Sequence, residues 1–194
     1  MQFTTTTPLK LLLLIMLIIK PQSNAQPHPP QLSSQYWNNP EFIETFTASY
    51  TIHPQKEPLM TTQEKELIKT LVPIIKTDIN AAITILEQKR TPNTSAMLDL
   101  ILGNLYFETN QTQAAIQKYQ IAINKHPQFA RAHKLMGIAK VHSKEIKQAI
   151  PHLLKAIQLG INDGTTYGLL GYCYLNQKQY YSARLAYNQT LLLP

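Results

Sequence analysis

Six histidines (His28, His53, His126, His133, His142 and His152) and one cysteine, Cys173, are the side chains through which this sequence could hold a metal or attack a substrate. A helix offers two ligands to one metal when they lie four residues apart, and no histidine pair has that spacing. A single cysteine builds neither a cysteine-rich zinc site nor an intramolecular disulfide. Cys173 has no basic neighbour that would favour its thiolate, so it reads as a small core residue of an apolar helix. A phosphate-cradling glycine loop, a nucleophile elbow and a catalytic Cys–His arrangement are all absent from the sequence. The carboxylates of the second half, Asp99, Glu108, Glu145 and Asp163, are too sparse to suggest an acid–base pair. They read as solvated groups, with Asp163 before Gly164 as a helix cap. The expectation is a binding surface, with no catalysis, metal or cofactor.

The elements that would carry such a surface are helical. Of 194 residues 44% are hydrophobic and only six are glycine, and the second half is rich in Ala, Leu, Ile and Gln. The formal charge is +7, but the basic residues are not clustered, so nucleic acid is not an expected partner. Leu11 to Ile19 is an unbroken apolar run of nine behind Lys10, too short for the roughly 20 residues that cross a bilayer. It suits the core of a signal peptide spanning 1–25, with Ser23-Asn24-Ala25 placing cleavage before Gln26. An uncleaved anchor is the alternative. The expected location is periplasmic or secreted, in a bacterial cell, with no stable membrane insertion after cleavage; a eukaryotic secretory pathway stays open.

Residues 26–60 read as a Pro-rich spacer (Pro27, Pro29, Pro30) and a short helix opened by Asn39-Pro40 and running to about Tyr50. Its Trp37, Phe42 and Phe46 would cover the open end of the downstream helices, or form an aromatic patch for a partner. Thr61 and Glu64 form a capping-box pair that opens a helix to Lys76, which Pro73 should kink or end. A further helix is expected over 78–88, with Ile79, Ala82, Ile83 and Leu86 on one face.

Beyond residue 95 the chain repeats. Gly103, Gly137 and Gly171 stand 34 residues apart, as do Ala115, Ala149 and Ala183. Tyr119, Leu153 and Tyr187 keep the interval, and so do Ala122, Ala156 and Thr190. A helix–turn–helix unit of that period resembles the tetratricopeptide repeat. Its pattern is read in Leu102-Gly103, Tyr106, Ala115, Tyr119, Ala122 and Pro127, and in Met136-Gly137, Ala149, Leu153 and Ala156. The third copy has Tyr167, Leu170-Gly171, Tyr174, Ala183 and Tyr187. The second departs from the pattern with Lys140 and Ile161, and the third ends on Thr190. The resemblance implies an all-α, right-handed α-solenoid: a degenerate repeat over 61–95, then repeats over 96–129, 130–163 and 164–194. Small residues mark where helix backbones approach closely. Pro151 should remove a helical bond near Lys147. The apolar end Leu191-Leu192-Leu193 lacks the polar helix that usually closes such arrays.

In the family the first helices line a concave groove. Its columns fall here on Met97, Leu100, Asn104, Phe107 and Glu108; on Arg131, Lys134, Ile138, Val141 and His142; and on Thr165, Gly168, Tyr172, Leu175 and Asn176. The candidate partner-binding residues are Asn104, Phe107, Arg131, Lys134, Ile138, His142, Tyr172, Leu175 and Asn176. Phe107, Ile138, Tyr172 and Leu175 would supply apolar pockets, and Arg131 with Lys134 a charge for an acidic group. The alternative is that several of them pack only against each other. The lysine and asparagine clamp that some members use for a terminal carboxylate is not reproduced, since Ile138 and Tyr172 stand beside Asn104 in that column. The resemblance implies a protein- or peptide-binding adaptor; a self-associating structural protein joined through its open end is the second reading.

Overall fold

The 34-residue period becomes, in a computed structural model, a row of antiparallel helix pairs. The structure describes residues 57–193, which fall within one structural unit (44–194). The expected signal peptide, most of the spacer and the helix near Asn39 lie outside the described residues. Eight helices follow one another among those described: α1 (Thr62–Thr77), α2 (Ile79–Lys89), α3 (Ala96–Glu108), α4 (Thr112–Lys125), α5 (Ala130–His142), α6 (Ile146–Gln158), α7 (Gly164–Asn176) and α8 (Tyr180–Leu191). Each packs on its chain neighbour, and α5 also touches α7. Among the described residues the all-α solenoid expected from the sequence is what forms.

Local chemistry explains the helix ends. The Thr61 amide donates to Glu64 Oε2 at 2.8 Å and the Glu64 amide to Thr61 Oγ1 at 3.2 Å, a complete capping box. Glu64 Oε1 also accepts from the Ser95 amide at 2.7 Å, tying the start of α1 to the start of α3. Asp78 caps α2 through the amides of Asn80 and Ala81, each at 3.0 Å. Neither proline ends its helix: α1 continues four residues past Pro73, and α6 runs unbroken through Pro151. Both prolines are exposed, so the carbonyls they leave unbonded, at Lys69 and Lys147, lie toward water.

The hairpin turns repeat as faithfully as the helices. Asn110, Lys144 and Lys178 all take a positive φ, between 59° and 64°, and are themselves 34 residues apart. In each turn the next amide reaches back five residues: Gln111 to Tyr106, Glu145 to Lys140 and Gln179 to Tyr174, at 2.8–2.9 Å. That closure satisfies carbonyls at the end of each first helix and sends the chain back antiparallel.

The glycine column sets how close the paired helices come. A Cβ on Gly103 would lie 2.5 Å from the Tyr119 ring, on Gly137 2.6 Å from Leu153, and on Gly171 2.8 Å from the Tyr187 ring. The Ala column at 115, 149 and 183 is buried for the same reason, and Cys173 is buried between helices as expected. No described helix is long and apolar enough to cross a membrane.

Candidate partner-binding face

Three first helices, α3, α5 and α7, stand one behind another, so residues 34 apart form rows along their shared face. The innermost rows do not project. Met97, Leu100 and Val141 are buried in the core, so these three, expected to line a groove, serve packing instead. Tyr172 is only 8% exposed, and its ring supports the face more than it presents to it. Asn104 is half-buried, and its Oδ1 accepts from the Tyr119 hydroxyl at 2.8 Å across the hairpin. Asn176 is exposed and turns its amide onto the Tyr172 carbonyl at 2.9 Å.

What does reach the surface is apolar and aromatic. Phe107 and His142 meet edge to face, with ring centres 5.3 Å apart, and His142 Nδ1 lies 3.1 Å from Thr112 Oγ1. Ile138 is half-buried beside them in sequence order, and Leu175 is 45% exposed.

The two cations expected to receive a partner's acid already hold carboxylates of this chain. Arg131 forms a two-pronged pair with Glu57: Nε donates to Oε1 at 2.7 Å, and Nη2 donates to Oε2. The same Nη2 lies 3.7 Å from Met97 Sδ, and the guanidinium sits 5.7 Å from the Phe129 ring centre. Lys134 Nζ lies 2.8 Å from Asp163 Oδ2, while Asp163 Oδ1 accepts from the Thr166 amide and hydroxyl, capping α7. Burial alone would raise the Asp163 carboxyl, but Lys134 and the Thr166 amide prevail and hold it below its ordinary range. The Asp163 cap was expected; its ion pair was not.

One further row has Asp99 and His133 where the third copy keeps the large side chain of the pattern, Tyr167. Asp99 is fully buried, with Arg90 on Oδ1 and Lys125 Nζ 2.7 Å from Oδ2, so the solvated reading of this residue is corrected. Glu145 too is paired, 2.7 Å from Lys140 Nζ. His133 is buried, its Nε2 3.1 Å from the Pro127 carbonyl and its Nδ1 3.3 Å from His152 Nδ1. A carbonyl only accepts, so a neutral His133 carries its proton on Nε2, and His152 Nδ1–H donates to His133 Nδ1. The histidines are 19 residues apart and meet across the α5–α6 hairpin; spacing within one helix could not show them. Among the described residues no three potential metal ligands gather.

Burial, then His133 and Lys140, push His152 down to about 4, and burial with Lys155 lowers His133 against the Pro127 carbonyl. The unfolded chain takes up these protons near pH 6.5, above the folded chain. The unfolded state therefore binds more protons across the window, and stability falls as pH drops from about 6.5 towards 4. The expected result is a falling urea midpoint over that range in the native chain and a flatter profile in His152→Gln. Identical slopes in the two proteins would assign the acid sensitivity elsewhere.

Residues 103–142 match the tetratricopeptide (TPR) repeat family model. No curated protein matches the sequence. Among solved structures, a crystal structure of MamA aligns at a TM-score of 0.60 with 22% identity, over 77% of this chain and 85% of that one. MamA residues 41 to the end from Desulfovibrio magneticus RS-1 give 0.59 and 18%, over 79% and 84%. The second TPR of Spaghetti (RPAP3), bound to the HSP90 peptide SRMEEVD, gives 0.50 and 18%, over 57% of this chain and 99% of that one. The matched segment at 103–142, the 34-residue columns and the stacked hairpins together give the described residues the fold of a tetratricopeptide-repeat array.

Proposed function

We propose that this chain is a non-enzymatic adaptor that holds a segment of a partner protein against the face formed by α3, α5 and α7. The observation that carries the reading is the outward set Phe107, Ile138, His142 and Leu175 beside the pairs Arg131–Glu57 and Lys134–Asp163. Apolar anchors next to charge pairs suit recognition of a peptide with both apolar and acidic groups. A relative of the same fold is solved with an acidic peptide, SRMEEVD, which supports a peptide as the kind of ligand. Export is part of the proposal and rests on the apolar run 11–19 and on Ser23-Asn24-Ala25; an intact mass beginning at Gln26 would test it.

The direct test is crosslinking and pull-down with the chain from Gln26 beside Lys134→Glu/Leu175→Asp. Leu175 is the better target because Tyr172 is buried and its loss would disturb the fold. The expected result is a partner captured by the native chain and lost by the variant while the variant stays folded with native helicity. Equal capture by both would remove the face from consideration. A second reading, self-association, is favoured by the exposed Tyr180, Tyr181, Leu185, Leu191 and Leu192 of the last hairpin. Light scattering that shows a monomer at all concentrations would dismiss it.

A further inference from the structure

We infer that the segment Glu57-Pro58-Leu59-Met60 is an internal occupant of the partner-binding face, and that the partner is an extended peptide whose carboxylate takes the place of Glu57 on Arg131. The inference rests on the adaptor reading above and specifies its ligand and its regulation.

Arg131 belongs to α5 and Glu57 lies 74 residues earlier, ahead of the first described helix. The contact is therefore not a by-product of helix or turn geometry. It is a two-pronged pair, the arrangement that fits a planar guanidinium to a carboxylate and gives direction as well as attraction. The Glu57 side chain is 14% exposed, so it is drawn well out of water. Residues 58–60, which follow it, have no regular structure, and Met60 packs against the core cluster while Leu59 stays largely exposed. The Arg131 guanidinium in turn reaches Met97 on α3, so the pair bridges two of the three stacked helices. An acidic residue followed by Pro and two apolar residues, laid across first helices, has the form of a bound peptide ligand.

A tethered segment competes at an effective concentration on the order of millimolar. A partner peptide must overcome that competition, so removing the Glu57 carboxylate should strengthen capture. The pairing also accounts for why an arginine in this row takes acid: Lys134 in the neighbouring row holds Asp163, which caps α7 and is fixed by the fold. Glu57, outside any helix, is the more replaceable of the two carboxylates.

The experiment uses the full chain from Gln26, native and Glu57→Ala, with a fluorescent peptide of residues 55–61 (Gln-Lys-Glu-Pro-Leu-Met-Thr) as the probe in anisotropy titrations. The expected result is binding by Glu57→Ala at least tenfold tighter than by the native chain. It should be lost with Glu57→Ala/Arg131→Leu and with a probe carrying Gln for its Glu. Equal affinity for both chains, no binding by either, or binding indifferent to Arg131 would overturn the inference. A protein partner that the native chain captures, that Lys134→Glu/Leu175→Asp loses, and that Glu57→Ala captures no better would leave the docking face standing and sink the internal occupant alone.

Discussion

Replacing Arg90 and Lys125 together by methionine should lower the unfolding free energy by about 3–5 kcal/mol, the usual cost of stranding a buried charge. Asp99 is fully buried, and its two oxygens are taken by these two cations. Both cations are only 21% exposed, so water screens the cluster weakly. Asp99 lies in the first turn of α3, Arg90 is the C-cap of α2, and Lys125 is the last residue of α4. One carboxylate thus gathers the ends of three helices, and Lys125 adds a bond to the Thr94 carbonyl at 2.9 Å in the intervening loop. The cluster joins the degenerate first hairpin to the regular repeats, so the loss should appear there first. Adding Asp99→Leu to the double variant should recover most of the stability, because the charge that lacked partners is gone. Urea titration checks both. A double variant within about 1 kcal/mol of native would mean that water or another group solvates Asp99.

The period made the fold legible. Gly103, Gly137 and Gly171 sit against Tyr119, Leu153 and Tyr187 as the columns implied, and the Thr61–Glu64 box and the Asp163 cap are local signals that local chemistry fulfils. The candidate site was legible only in part. A repeat register tells which face a residue occupies, not which distant side chain comes to meet it. It placed Arg131 and Lys134 on the first-helix face but could not show Glu57 on the one or Asp163 on the other. It assigned Tyr172, Met97, Leu100 and Val141 to a surface that close stacking of short hairpins buries. Asp99 looked solvated because its partners come from two other helices. Burial and pairing across the array are tertiary properties, carried by no spacing within one segment.

Gly137→Leu should cost roughly 3 kcal/mol through overpacking. A bare Cβ there already lies 2.6 Å from Leu153 Cδ2 and 2.7 Å from its Cγ, closer than carbon atoms approach. Leu153 is fully buried and has nowhere to retreat, so α5 and α6 must separate. The position magnifies the effect. In a stack each hairpin is stabilised by its neighbours, and this is the middle one of the three regular repeats, so opening it weakens the contacts α4–α5 and α6–α7 together. Denaturation should then lose cooperativity, with a shallower urea transition as well as a lower midpoint. Gly168→Ala is the matched control in α7, since nothing lies within 4 Å of its added Cβ. There the gain in helix propensity should stabilise by roughly 0.5–1 kcal/mol. If Gly137→Leu and Gly168→Ala moved stability in the same direction, close helix approach would not be what the 34-residue glycine column selects.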